Sequence, residues 1–464
     1  MQLSNEEEDY NLSLSKFESM LKTNKVLFFD SEEFEEIILH YLDIGKANLA
    51  KKALKLALDQ HPKSTGLKLV QVEMLVYDDK LDIAEKLLNE LYAIEPNNEE
   101  IYIQKANICS KRDQHEKAVE LLKIALQYTD DYADVYNLIG MEYLFMDNLE
   151  LAKDSFIKCL EEDLEDQSAL YNVVYCFEFL DQNQEAIVYL NEYINRNPYS
   201  EIAWHQLGRL HYGVKEYENA IRAFDYATLI DDEFLGAFME KAKAYERLKK
   251  YNEAIESYNR TIELDDATSY ALLRIGKCYE KLGNLAKAIQ YYNQTVHEDP
   301  LLDKGWIAIT DFHLRQKNYQ KALFFVNKAL AIDNQNRLYW KRYATINKQM
   351  NFFEEAEFGF RKAVEFGDYA LDTWLYWVDI LQFLGEFETA IQTLLQATEY
   401  FPEENEIEYR LAGLYFMIQD NTKAKFHLSN GLRLNFDNYI LIEDLFPVVW
   451  TKKTIKNYIE KHRK

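Results

Sequence analysis

A single residue type, recurring at a fixed interval, restricts this chain more than any other feature. Counting 34 residues at a time from Ala288 lands on Ala50, Ala84, Ala118, Ala152, Ala186, Ala220, Ala254, Ala322, Ala356, Ala390 and Ala424, without one insertion or deletion. The chain is one structural unit written twelve times. Short repeats cannot bury an apolar face alone, so they stack, and each packs on its neighbours. Length alone would allow about three domains. The unbroken period instead predicts one array over residues 31–438, preceded by an acidic tail and cap at 1–30 and followed by capping helices with a basic end at 439–464.

Within each unit apolar residues recur at helical spacing, in two segments of about 14 residues, the second carrying the marker alanine. In one copy Ile275, Cys278, Tyr279 and Leu282 are expected on one face of a first helix. After a turn at Gly283-Asn284, Ile289, Tyr292 and Val296 join Ala288 on a second. Side chains at a helix crossing set the interhelical distance, so a methyl group there brings two backbones close. A larger group would overpack the crossing at a cost of about 1–3 kcal/mol. Gly140, Gly208 and Gly276 stand twelve residues before their alanines, and Trp204, Trp306, Trp340 and Trp374 sixteen before. Pro62, Pro96, Pro198, Pro300 and Pro402 stand twelve after, where the missing N–H should stop the second helix.

Trp204, Leu207, Gly208, Ala220, Phe224 and Ala227 form the best copy of a pattern that resembles the tetratricopeptide repeat, and the resemblance covers residues 31–438. It implies an all-α fold, a right-handed superhelical α-solenoid whose first helices line a concave groove for segments of other proteins. The whole chain is similar to long bacterial proteins of this type. The family's clamp for a terminal carboxylate is not reproduced. Asn172 could be its middle member, but Asn137 and Met141 stand where Lys and Asn are required, and Ile202 and Gln206 where Lys and Arg are required.

Catalytic chemistry finds no constellation. The nine histidines form no i, i+4 pair, His205 and His211 being six apart. Phosphate-cradling glycine motifs are absent, and Cys109, Cys159, Cys176 and Cys278 are too dispersed for a C-x-x-C site, so they are read as packing residues. Asp231-Asp232 and Asp265-Asp266 recur 34 apart at one hairpin end, where carboxylates begin turns. Neither enzyme, metal nor cofactor is expected. The net charge of −26 repels polyanions, so nucleic acid and anionic membranes are unsuited as partners. The start MQLSNEEEDY lacks a secretory pattern, which makes a cytoplasmic address the expectation.

In the geometry that the resemblance implies, residues eleven and seven before each marker alanine face the groove. They place Arg209, Lys243 and Lys277 in one row and Arg247, Lys281 and Arg315 in the next. This basic ladder lies in an otherwise acidic chain: residues 1–200 hold 40 acidic and 19 basic groups, against 20 and 22 in residues 201–350. Lys243 with Arg247 and Lys277 with Lys281 are like-charge i, i+4 pairs, each unfavourable in an isolated helix. Glu246 and Glu280 could partly neutralise them, which leaves a solvated charged face as the competing reading. Met141, Leu144, Phe145, Tyr171, Tyr175 and Phe179 make the preceding stretch apolar and aromatic, and such surface marks contacts unless neighbouring repeats cover it. The expected function is a non-catalytic scaffold or adaptor taking a protein or peptide segment with an acidic part on the ladder and an apolar part on Tyr175, Phe179 and Tyr212. The alternative is a regulatory sensor whose superhelical pitch changes with a small ligand. The chain's own Glu6, Glu7, Glu8 and Asp9 could occupy the ladder. Oligomeric state is left open by the residues.

Overall fold

The computed structural model describes residues 13–22, 27–264 and 268–462. It is built of helices, and no strand occurs among the described residues. Two compact units, Met1–Asp232 and Glu233–Lys464, divide the chain. The first unit holds repeats one to six, from the helix pair Ser31–Asp43 and Ala47–Gln60 to Glu201–Gly213 and Tyr217–Ile230. The second holds repeats seven to twelve, from Leu235–Arg247 and Tyr251–Leu264 to Asn405–Met417 and Asn421–Leu434. None of the described helices is long and apolar enough to cross a membrane.

Three local devices recur along the hairpins. Polar N-caps such as Ser64, Asn98, Ser200 and Thr268 accept a backbone N–H at the start of first helices, satisfying donors the helix itself leaves open. The residue five before every marker alanine has a positive φ, between 56° and 81°, in all twelve repeats. Glycine occupies this left-handed corner only at Gly45, Gly283 and Gly385, while Asp, Asn, Lys or Gln fills the other nine. Beyond the corner all twelve marker alanines are fully buried. The proline-marked ends are also as expected, with second helices closing at Gln60, Tyr92, Arg196, Glu298 and Tyr400.

Packing within a hairpin is a matched exchange of volume. A methyl group on Gly140 or Gly276 would stand 2.6 Å from the ring of Phe156 or Tyr292, and one on Gly208 would overlap Phe224. These rings lie four residues after their marker alanines. In all five repeats with an aromatic ring at that place the facing position is Gly or Ala, as in Ala242 with Tyr258 and Ala344 with Phe360. Leu282 departs from expectation: the first helix ends at Lys281, and Leu282 is an exposed C-cap residue. Cys159, Cys176 and Cys278 are buried, and burial pushes the Cys176 thiol up to about 11 and that of Cys278 to about 12. They are packing groups, as read from the sequence.

The first unit is closed at its N-terminal end and the second at its C-terminal end. In the first, Phe17 and Met20 of the helix at 13–22 pack with Phe29 on Phe34 and Tyr41. Of the apolar run Val26-Leu27-Phe28-Phe29, only Phe29 does this; Leu27 and Phe28 are exposed, and Val26 lies outside the described residues. In the second, Phe446 fills the space left by Gly413, and Ile442, Val449, Ile455 and Ile459 are buried. Pro447 ends the helix Ile440–Leu445 and begins Pro447–Trp450, and the last helix is Lys453–Lys461. Asp265 and Asp266 lie outside the described residues, as does the acidic run Glu6 to Asp9.

Candidate partner-binding surfaces

In the second unit the basic rows are built from the first helices Leu235–Arg247, Ser269–Lys281 and Asp303–Arg315. The two glutamates that could have neutralised the lysines are committed elsewhere. Arg274 grips Glu246 with two bonds, Nε to Oε1 at 2.8 Å and Nη2 to Oε2 at 2.7 Å, and the Tyr258 hydroxyl donates to Oε1 at 2.7 Å. Glu280 accepts from the Tyr292 hydroxyl at 2.8 Å and forms an ion pair with Arg315. Arg315 is thereby tied into the fold, although it keeps an exposed side chain. Lys243 lies 5.7 Å from the Tyr270 ring centroid. Lys243, Lys277 and Lys281 form no ion pair among the described residues, and Arg247 is exposed at its helix end. Surrounding protein pushes the Lys277 ammonium below its ordinary pKa, helped by Arg274 and Lys304 and opposed by Glu246 and Asp311.

The first unit holds Arg209 and the aromatic stretch. Arg209 Nη1 donates to Gln206 Oε1 at 2.8 Å, and its Nη2 lies 3.6 Å from Glu178 Oε1. Phe179, next to Glu178, is 66% exposed; Tyr175 is 43% exposed, with the two ring centroids 4.4 Å apart. Phe145 and Tyr171 are also exposed, whereas Met141 and Leu144 pack partly on the core. Neighbouring repeats therefore leave four of these six apolar side chains uncovered. Tyr212 is half-buried and meets the Tyr217 ring edge-on at 5.4 Å. The clamp positions are turned to internal contacts: Asn137 donates to Asp166 at 3.2 Å, and Ile202 and Gln206 are buried.

Two features escaped the sequence reading. Arginine fourteen residues before the marker alanine bonds an acid of the preceding first helix in three repeats of the second unit: Arg274 to Glu246, Arg342 to Asp311 at 2.8 and 3.1 Å, and Arg410 to Asp379 at 2.5 Å. The period alone could have flagged this row, since the three arginines share one register position. In the first unit, Asp43, Glu73, Glu100 and Asp134 stand on four successive first helices, and no ion pair reaches them among the described residues. The surrounding protein raises the pKa of Glu73, Glu100 and Asp134; Glu100 and Asp43 add to the rise at Glu73, and Asp134 to that at Glu100. Glu73 and Asp134 are open to water, so the effect comes from protein flanking an accessible face.

Stacked helical hairpins with polar and aromatic first-helix rows define a helical repeat protein. The tetratricopeptide repeat matches residues 75–141, 133–166, 205–268 and 239–302, and with the twelvefold hairpin this places the chain in that family. It is 24% identical over 157 residues to anaphase-promoting complex subunit 3 of Schizosaccharomyces pombe, a match that takes in 34% of this chain and 24% of that protein. The chain thus spans about a quarter of that curated relative. Among solved structures, the APC/C hetero-tetramer Cut9–Hcn1 is 14% identical, covering 88% of this chain and 94% of that one at a TM-score of 0.37. A tetratricopeptide repeat protein from Parabacteroides merdae is 14% identical, covering 53% and 97% at a TM-score of 0.40.

Proposed function

We propose that the chain is a non-catalytic scaffold or adaptor that holds protein segments on its first-helix faces. The apolar part of a partner packs on Tyr175, Phe179 and Tyr212 beside Arg209, and an acidic part meets Lys243, Arg247, Lys277, Lys281 and Arg315, each surface acting within its own unit. One observation carries this reading. Glu246 and Glu280 are consumed by Arg274, Tyr258, Arg315 and Tyr292, so Lys243, Lys277 and Lys281 keep charge for an outside anion. Membership of a multiprotein complex, as the name of the curated relative states for that protein, is in keeping with such a role.

The test is fluorescence anisotropy with two labelled peptides, one aromatic and one carrying Asp and Glu, each titrated alone. Lys243→Glu with Lys277→Glu should weaken binding of the acidic peptide by about tenfold or more, since a desolvated charge contact is worth about 2–5 kcal/mol when one partner is lost, with helical content unchanged. Removing residues 1–9 should strengthen that binding if the acidic run competes. Phe179→Ala should weaken binding of the aromatic peptide. Unchanged affinity in the double reversal, with and without residues 1–9, defeats the assignment.

A further inference from the structure

The acid–arginine register of the second unit exposes a vacancy of charge in the first. Asp311 and Asp379 stand eleven residues before their marker alanines, and the arginines that bind them, Arg342 and Arg410, stand fourteen before the next. In repeats two and three the same two positions are Glu73 and Gln104. The acid is kept and the arginine is replaced by a neutral amide. Gln104 is 4% exposed; its Nε2 donates to Glu100 Oε1 at 2.7 Å, and its buried Oε1 has no hydrogen-bond partner. The amide cannot be turned to relieve this, because its oxygen would then face a carboxylate. Glu100 acts on Glu73 as a like charge, the amide beside it leaves its oxygen unmet, and the guanidinium donor that the register supplies elsewhere is missing.

The cations of this helix do not supply it. Arg112 is held by Asp82 and Glu85 at 2.8 and 2.9 Å, Lys105 lies 4.3 Å over the Tyr92 ring, and Lys111 is exposed without an ion pair. A metal ion does not fit either, since the described residues hold no group of metal-binding side chains. The missing donor has the chemistry of the arginine found at this place three times over, a guanidinium or ammonium group.

We propose that Glu73, Glu100 and Gln104 bind the guanidinium or ammonium group of a basic segment from a partner protein, with Asp43 and Asp134 extending the site onto the adjoining repeats. The first helices of repeats one, two and three pack on one another, and packed helices lie about 8–10 Å apart. An extended chain advances about 3.3–3.6 Å per residue, so basic residues about three apart match the spacing of successive first helices. The protein's own basic end fits worse, because Lys453 and Lys456 lie on a helix, Lys453–Lys461, where the rise is about 1.5 Å per residue. This site rests on the reading of the chain as a protein-binding scaffold but takes the opposite charge from the ladder of the second unit.

The decisive variant is Gln104→Arg, which installs the guanidinium from within and copies a pair the chain already uses. The protein is titrated with a labelled extended peptide carrying arginine at every third residue, and separately with the acidic peptide. The wild type should bind the arginine peptide, more tightly at low salt. Gln104→Arg should weaken that binding by about tenfold or more while raising the melting temperature, and Glu73→Gln should weaken it without that rise. Lys243→Glu with Lys277→Glu should leave it intact, so a failure here is separable from a failure of the ladder. No binding of the arginine peptide by the wild type, or equal binding by Gln104→Arg, overturns the proposal. So does salt-sensitive self-association that disappears when residues 452–464 are removed, which would assign the face to a second copy.

Discussion

At the scale of single residues, the period is enforced by sterics in two places, and only one is legible in residue names. The marker alanine is constant because any larger group would overpack the crossing, and it can be found by counting. The left-handed corner five residues earlier is equally constant in conformation but not in identity, since Lys215, Lys249, Lys317 and Gln419 adopt φ of 57–67° without being glycine. A left-handed L-residue is disfavoured by roughly 1–2 kcal/mol, so Lys249→Gly and Lys317→Gly should each stabilise the second unit by up to about 1 kcal/mol after glycine's greater loss of chain entropy. Chemical denaturation with equal slopes would check this, and a destabilised Lys249→Gly would show that the lysine side chain does more than turn the chain. The matched volumes predict a coupled pair. Gly208→Val should destabilise the first unit by about 1–3 kcal/mol through overpacking on Phe224, and Phe224→Leu in the same protein should recover part of the loss. A strictly additive double variant would contradict the complementarity.

At the scale of elements, helix existence and order were legible because apolar spacing and proline positions are local signals. The ends were less so. Val26, Leu27, Phe28 and Phe29 read as one apolar run, yet Phe29 turns inward while Leu27 and Phe28 stay outside, a choice made by the ring cluster with Phe17 and Phe34. The candidate surfaces were legible as rows of charge and rings, but not their pairing. Nothing in a residue name says that Glu246 turns to Arg274 rather than Lys243, because that depends on the neighbouring helix. The terminal elements carry a prediction of their own. Phe446 sits in the hollow of Gly413, and Gln382 Nε2 donates to the Leu445 carbonyl at 2.9 Å, so removal of residues 439–464 exposes the apolar face of Asn405–Met417. At about 25 cal/mol per Å² of apolar surface, the truncated chain should melt lower or aggregate. A truncated monomer with unchanged melting would mean that this segment is an arm rather than a cover.

At the scale of the whole molecule, charge is distributed unevenly, and stability should follow pH accordingly. Arginine answers acid along the second unit, whereas Glu35, Glu73, Glu100 and Asp134 in the first have their pKa raised, chiefly by desolvation and then by neighbouring acids, with Gln104 opposing at Glu100. A carboxyl with a raised folded-state pKa holds its proton more tightly in the native state than in the unfolded one. Between the ordinary value near 4 and the raised value, folding therefore takes up protons, and stability grows as pH falls. The opposite sign belongs to Glu33, whose pKa is lowered, first by the 2.6 Å bond from the Ser13 hydroxyl; its contribution is lost as pH drops through that lowered value. These raised carboxyls should then add stability to the first unit as the pH is lowered toward about 4. Calorimetry on the full chain should show the transition that Glu73→Gln affects moving to higher temperature as the pH is lowered from about neutral toward about 4. Glu73→Gln with Glu100→Gln should flatten that dependence, because the neutral amides no longer titrate. A transition that weakens steadily over this range in the unsubstituted protein would show that lowered carboxyls outweigh the raised ones, and that the acid row of repeats one to four is relaxed by water rather than waiting for a cation.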